Sequence, residues 1–329
     1  MKVNFSIFIV IILSLSMLLA ACGPAATEVD HSAMTHASSL KVLASTTFLA
    51  DIAQNVAGER AVVESLLPFG ADPHSYQPAP TDVAKIAESN VLILNGVEYE
   101  HFVEPLLENA GGEWLVIEAA AGLDVLQMED LAQESEDLSP EAEGEAGHEG
   151  HNHEAGDPHM WLDPTRVVTY VENIRAGLTQ VDPEGAETYK ANAEAYISKL
   201  NDLDKWITEQ VNSIPAERRL LVTNHEALGY FAARYGFEVV GAVIPSLSTE
   251  ASPSAQQMAA LVEQITAVKA PAILLGEAEN PNLARQIADE TGVMVVEDLY
   301  LETLTDGAPA PTYIGMMKHN VTAIIEALK

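Results

Sequence analysis

Short apolar runs alternate with amphipathic stretches along most of the chain. In the first half the runs at 41–45, 62–67, 91–94 and 114–117 predict strands, and the stretches at 47–56, 81–89 and 100–108 predict helices. In the second half the predicted strands are 220–223, 238–243, 272–275 and 293–296, and the predicted helices are 164–179, 225–235, 253–268, 281–290 and 313–328. Strands that alternate with helices in this way form parallel sheets covered by helices.

The stretch after the predicted helix 164–179 has a different pattern. From 183 to 211, apolar residues recur alternately four and three positions apart, which places them on one face of a single helix. These residues are Tyr189, Ala193, Tyr196, Leu200, Leu203, Ile207 and Val211. We therefore predict an α/β protein of two lobes (40–182 and 213–329), each a parallel sheet flanked by helices, joined by one long rigid helix (183–212). A coiled coil with a second chain is the alternative, although the exposed face carries few ordered charge pairs.

The N-terminus has the pattern of a bacterial lipoprotein signal. Lys2 precedes an apolar run over 5–19, and the small residues Ala20 and Ala21 stand directly before Cys22. We expect residues 1–21 to be removed as a signal peptide, Cys22 to carry the lipid, and 22–39 to act as a tether. A free or buried cysteine is the alternative for Cys22. No other segment has the roughly 20 apolar residues of a membrane span, so we expect a protein anchored on the outer face of the cytoplasmic membrane.

The net charge of −33 narrows the choice of partners. A protein that binds nucleic acid neutralises phosphates with lysine and arginine, so we expect no nucleic-acid partner. The charge also repels anionic lipid headgroups, so only the lipid on Cys22 would hold the protein at the bilayer. Cation binding is compatible with this charge.

The strongest chemical signal lies between 145 and 164. This stretch contains four of the ten histidines, and no lysine or arginine occurs between Lys85 and Arg166. The four are His148, His151, His153 and His159. Imidazoles close to carboxylates, with no competing cation, favour a divalent transition metal. For the first three histidines the alternative is a solvated acidic loop, which we place at about 129–157.

Two Asp-Pro-His turns recur in distant parts of the chain, ending in His74 and His159. Proline fixes its own φ and restrains the residue before it, so each turn can hold an imidazole in one direction. Two such turns suggest ligands that converge on one ion. Turn histidines satisfied by local hydrogen bonds are the alternative.

Two residues of the second lobe are expected where a ligand binds. His225 follows a predicted strand and opens a predicted helix, and Asp298 follows the last predicted strand. Ligands of open α/β sheets lie beyond the carboxyl ends of the strands. A helix N-terminus would also lower the pKa of His225 and keep the neutral form that a metal requires. Capping of a helix by His225 and solvation of a turn by Asp298 are the alternatives.

The chain resembles the solute-binding lipoproteins of ABC transporters that take up zinc and manganese. The resemblance covers nearly the whole chain after the tether and rests on ADPHSYQPAPTDVAKIAESNVLILNG, DPHMWLDP, NHEALGYFAARYG and EDLYLETLTDG with TYIGMMKHN. It implies a metal site in the cleft between the lobes, with His74, His159, His225 and an acid from the end of the last strand as ligands. Asp298 is the best match for that acid, although the spacing departs from the family's usual Asp-Ser-Leu form.

The same resemblance implies the cargo and the partners. Manganese binders of the family tend to carry a carboxylate at the position of His225, so histidine there favours Zn²⁺, with Mn²⁺ or iron as the alternative. The implied partner is a membrane permease with a separate ATPase subunit, and the implied protein is a monomer. We expect the loop histidines to add only a weak accessory site.

Two other function classes remain open at this point. A surface zinc buffer or adhesin would need the same site and no transporter. A zinc hydrolase would keep one coordination position open for water, whereas four protein ligands close the shell. The chain contains neither an HExxH motif nor a P-loop, so we expect no enzyme activity and expect any ATP hydrolysis in a partner.

Overall fold

The structure, a computed structural model, describes residues 40–127, 156–276 and 279–329, and these contain two four-stranded parallel sheets. The strands of the N-terminal lobe are β1 (Leu40–Ala44), β2 (Ala61–Ser65), β3 (Val91–Leu94) and β4 (Leu115–Glu118). Those of the C-terminal lobe are β5 (Leu220–Thr223), β6 (Glu238–Ala242), β7 (Ala272–Gly276) and β8 (Met294–Leu299). The predicted α/β fold with two parallel sheets is confirmed.

Nine α-helices of the described ranges connect the strands within each sheet, join the two sheets or follow the last strand. They are α1 (Thr47–Ala57), α2 (Pro80–Glu88), α3 (Glu104–Ala110), α4 (Pro164–Val181), α5 (Ala186–Val211), α6 (Gly229–Tyr235), α7 (Ala255–Val268), α8 (Asn282–Thr291) and α9 (Tyr313–Leu328). Their starts follow local rules: Asp163 caps α4 by accepting a hydrogen bond from the Thr165 amide, and Pro164 occupies the first turn, where no backbone donor is needed.

The two sheets have the same strand order, β2-β1-β3-β4 and β6-β5-β7-β8. In each sheet the chain leaves the first strand to one side and then returns to the other side. The connections beyond the carboxyl ends of the strands therefore diverge, which opens a crevice where side chains can meet a ligand. This arrangement decides where the candidate ligands lie.

Helix α5 joins the two lobes and is buried along one face. All seven residues of the predicted seam are buried. The helix packs against α1, α4 and α9, and its seam belongs to one apolar core that also includes Phe48 of the first lobe and Leu274 of the second. Residues Ser39–Lys329 form one compact unit. The lobe boundaries themselves stay a prediction.

Two boundaries differ from the sequence prediction, and both matter for the site. Helix α6 begins at Gly229, so His225 lies in a bend four residues before the helix. Strand β8 continues to Leu299, so Asp298 lies inside the strand rather than after it. Across the described ranges no helix is long and apolar enough to cross a bilayer. Cys22, the tether and His148, His151 and His153 lie outside the described residues.

Replacing Leu200 with alanine should lower the free energy of unfolding by about 2–5 kcal/mol, because it opens a cavity in the core shared by both lobes. The matched control is Glu209→Ala on the exposed face of α5, which should change stability by less than about 0.5 kcal/mol. Urea unfolding followed by circular dichroism measures both. Equal losses of stability in the two variants would show that the buried face of α5 does not stabilise the shared core.

The continuous core predicts that the lobes keep their relative orientation when a ligand binds. A helix buried between both lobes resists bending more than an exposed strand hinge does. Small-angle scattering profiles of the protein with and without metal should therefore superimpose. A compaction detectable in the radius of gyration would show that this reasoning is wrong.

Candidate metal centre

Four side chains from different connections converge on one point. They are His74, His159, His225 and Glu302, and their ligand atoms all lie within 4.8 Å of one another. Glu302 Oε1 lies 2.7 Å from His74 Nε2 and 3.3 Å from both His159 Nε2 and His225 Nε2. The last two nitrogens are 3.4 Å apart. The geometry therefore brings three imidazoles and one carboxylate together at one point.

His159 is held by its own Asp-Pro-His turn. Asp157 Oδ1 accepts hydrogen bonds from both the backbone amide of His159, at 2.9 Å, and its ring Nδ1, at 2.8 Å. Asn95 Nδ2 donates to the Pro158 carbonyl and Tyr230 Oη donates to the Asp157 carbonyl. With the proton on Nδ1, the lone pair of Nε2 is available to a metal.

His225 is oriented in the same way by another carboxylate. Its Nδ1 lies 2.5 Å from Glu279 Oε1, and Glu279 Oε2 in turn accepts a hydrogen bond from the Gly276 amide at the end of β7. Neither Glu279 nor Asp157 appeared among the residues expected from the sequence. Tertiary structure decides which residue bonds the Nδ1 of His225. The sequence signal for Glu279 was its position just after a buried strand.

The expected effect of a helix dipole on His225 is wrong. Burial lowers the pKa of His225, but Glu279 and Glu302 outweigh burial, so its pKa lies well above the ordinary value. Burial also lowers the pKa of His159, and hydrogen bonds to Asp157 and Glu302 reverse this, so that pKa is raised too. Helix α6 begins too late to act on the His225 ring.

Glu302 lies in the connection after β8 and is fixed through its neighbours. The indole Nε1 of Trp161 donates to the Leu301 carbonyl at 2.7 Å. The Leu304 amide donates to Thr47 Oγ1 at 2.8 Å, and the Gly70 amide donates to Thr303 Oγ1 at 3.0 Å. Residues of the first lobe therefore hold the backbone on both sides of Glu302, which belongs to the second lobe.

The carboxylate of Glu302 is ionised despite its burial. Burial raises its pKa, but the adjacent imidazoles of His74, His159 and His225 outweigh burial and hold the pKa well below the ordinary value. An anion this deeply placed needs positive charge nearby, and the imidazoles or a bound cation can supply it.

The structure brings together three of the four expected ligands and excludes the fourth. Asp298 is exposed on β8, and its carboxylate faces His319 on α9, 3.5 Å from the ring Nε2. The expectation that Asp298 faces the cleft is therefore wrong. The missed signal was the triplet Glu302-Thr303-Leu304, which keeps the order acid, hydroxyl and leucine of the Asp-Ser-Leu form with glutamate in place of aspartate.

The spacing of the four groups suits a divalent metal. Zinc–nitrogen bonds of about 2.0–2.1 Å in a tetrahedron place the ligand atoms about 3.3 Å apart. Three of the separations among the four groups are 3.3, 3.3 and 3.4 Å, whereas Glu302 and His74 lie at a hydrogen-bonding distance of 2.7 Å. The donor set is rich in nitrogen and contains one anionic oxygen. It can therefore hold a metal ion without further protein ligands.

The chain matches a family model over residues 42–327, described as ZnuA, zinc-uptake complex component A, periplasmic. Among curated relatives it is 34% identical over 328 residues to the manganese-binding lipoprotein MntA of Halalkalibacterium halodurans, covering 99% of each chain. It is 33% identical over 289 residues to the iron-binding protein YfeA of Yersinia pestis, covering 88% of this chain and 86% of YfeA.

A solved structure shares the architecture. The periplasmic zinc-binding protein TroA from Treponema pallidum superimposes with a TM-score of 0.75 at 27% identity, covering 88% of this chain and 99% of TroA. The relatives are thus similar over nearly their whole length, while their names differ in the metal.

Replacing Glu302 and Asp298 by alanine, each in a separate variant, tests the site directly. Glu302→Ala should weaken metal binding by more than about 100-fold, because a ligand contributes at least as much as the outer partners of metal ligands do. Asp298→Ala should leave the affinity unchanged, since that side chain is exposed and lies beside His319 rather than beside the three imidazoles. Chelator competition with zinc measures both affinities. Loss of binding in Asp298→Ala alone would restore the original assignment.

Proposed function

We propose that this protein, which belongs to the ZnuA family of zinc-uptake components, captures a divalent transition metal outside the cytoplasmic membrane and delivers it to an ABC-transporter permease. The observation that carries the proposal is the convergence of three imidazole nitrogens on one carboxylate oxygen in a buried site between the two lobes. Under this proposal His74, His159, His225 and Glu302 are the metal ligands.

We propose zinc as the cargo on the basis of donor chemistry. Imidazole suits zinc, whereas manganese prefers carboxylate, carbonyl and water oxygen. Three nitrogen donors and one oxygen donor can form a tetrahedral set, and three of their separations, at 3.3–3.4 Å, agree with that geometry. The zinc-binding protein TroA has the same architecture.

Manganese and iron are the competing cargoes, because MntA is named manganese-binding and YfeA iron-binding. A carboxylate can bind through both oxygens, which would add an oxygen donor and move the site towards the harder ions. His225 opposes this, since a neutral nitrogen occupies a position where another carboxylate would favour manganese.

The arrangement favours binding over catalysis. The four ligand side chains are almost inaccessible, with exposed fractions of 2% for His74, 0% for His159 and His225, and 5% for Glu302. A catalytic metal needs an open position for water and substrate. Burial of this kind suits an ion that is carried rather than one that reacts.

The place of action follows from the N-terminal pattern and the relatives. MntA is named a lipoprotein, and a lipid on Cys22 would hold this protein near a permease in the same membrane. Any ATP hydrolysis would occur in a separate subunit.

Protein lacking residues 1–22 should bind one zinc ion per chain and prefer it to manganese. We expect at least about tenfold tighter binding of zinc, because three of the four donors are nitrogen. Calorimetry with each metal alone and in competition measures this. The matched variant His159→Ala should lose the tight step while keeping its circular-dichroism spectrum.

Two outcomes would overturn parts of the proposal separately. Equal or tighter binding of manganese would remove zinc as the cargo and leave a metal-binding function. Absence of any tight step in the parental protein would remove the function itself.

A further inference from the structure

The buried ligands raise the question of how an ion reaches them. With exposed fractions between 0% and 5%, the four side chains offer almost no surface to a hydrated ion in the described part of the chain. The core shared by both lobes runs through α5, so a large lobe rotation would disrupt many buried contacts. A local segment that carries one ligand must therefore move.

Three of the ligands are poorly suited to move. The rings of His159 and His225 are each held at Nδ1 by a buried carboxylate. The backbone beside Glu302 is tied to Trp161 and Thr47 of the first lobe. Displacing any of these ligands would break several buried hydrogen bonds at once.

His74 is attached differently. It lies on the connection from β2 to α2, in residues 68–75, which we call the His74 turn; this segment contains neither helix nor strand and is largely half-buried or exposed. In the described part of the chain, the polar contacts of the His74 ring are limited to Glu302. The turn is anchored at its two ends, by Leu67 pairing with Ser45 and by Tyr76 donating to Asp82.

The Asp72 carboxylate accepts three hydrogen bonds that hold the His74 turn. One carboxylate oxygen, Oδ1, accepts from the His74 amide at 2.9 Å. The other, Oδ2, accepts from two hydroxyl groups: Ser75 Oγ at 3.0 Å and Thr249 Oγ1 at 2.7 Å. Ser75 belongs to the same turn, whereas Thr249 lies in the connection between β6 and α7 of the other lobe.

We propose that Thr249 is a positioning residue that ties the His74 turn across the cleft, and that the metal enters and leaves by displacement of this turn. The proposal rests on the metal-binding function proposed above and names the ligand that detaches. The second contact across the cleft, from the Gly70 amide to Thr303 Oγ1, would open with the same movement. Gly70 has φ 74°, a conformation that glycine adopts without strain.

The chain supplies a matched pair of variants for the test. Thr249→Val removes the hydroxyl that crosses the cleft while it keeps the shape of the side chain. Ser75→Ala removes the hydroxyl that reaches the same carboxylate oxygen from within the turn. If the Asp72 carboxylate needs only a hydrogen-bond donor, the two variants should behave alike. If the hydrogen bond from Thr249 across the cleft matters, only Thr249→Val should change the rates of metal binding and release.

The measurement is the rate of zinc release into an excess of chelator by stopped flow, together with the rate of zinc binding. We expect Thr249→Val to release zinc about tenfold faster, the size of effect that loss of a hydrogen bond to a charged group produces. Zinc binding should be no slower than in the parent, because an untied turn opens more readily for entry. Thr249→Ser should restore the parental release rate, and Ser75→Ala should resemble the parent.

Several results would overturn the proposal. If Thr249→Val released zinc at the parental rate, the hydrogen bond between Thr249 and Asp72 would not limit metal release. Equal acceleration in Ser75→Ala would assign the effect to the turn alone. Either result with tight zinc binding intact leaves the metal-binding function standing, whereas failure of the parental protein to bind zinc removes the function and the proposal together.

Discussion

The structure depends on burial of one carboxylate, that of Glu302, among three imidazoles. An isolated buried anion costs several kcal/mol, so the fold must provide positive charge within bonding distance. The imidazoles do so when protonated, and a divalent ion would do so better, because it replaces protons at the same nitrogen atoms. The stability of this region and its affinity for a metal are therefore two consequences of one electrostatic requirement.

Repetition of one sheet topology makes the convergence possible. The strand orders β2-β1-β3-β4 and β6-β5-β7-β8 are equivalent, and His74 and His225 follow β2 and β5 while Glu302 follows β8. Helix α5 and the core around it hold the two sheets as one unit. Because the scaffold is rigid, the positions of His159, His225 and Glu302 are set without an ion, which would lower the cost of ordering them on binding.

Much of this could be predicted from the sequence, because the signals were local. The seam of α5 follows from helical spacing, and the restraint on His74 and His159 follows from the proline before each. The fourth acid was misplaced although the triplet Glu302-Thr303-Leu304 offered a signal, because Asp298 and Glu302 are four residues apart and the extent of β8 decides which of them lies beyond the strand. The end of a strand depends on pairing with a neighbouring strand, here β7, and the local sequence does not determine that pairing.

The partners of the ligands were beyond local signals for the same reason. Glu279 meets His225 because β5 and β7 are adjacent, whereas Asp157 meets the His159 ring within one turn, whose carbonyls also accept hydrogen bonds from Asn95 and Tyr230. These contacts also make the site asymmetric: two imidazoles are held by carboxylates, whereas His74 is held through its backbone by Asp72. If the protein carries a metal ion as proposed, it must bind the ion tightly and still release it, and unequal anchoring would meet both requirements: the two rings held by carboxylates would provide affinity, and the His74 turn would provide the exit.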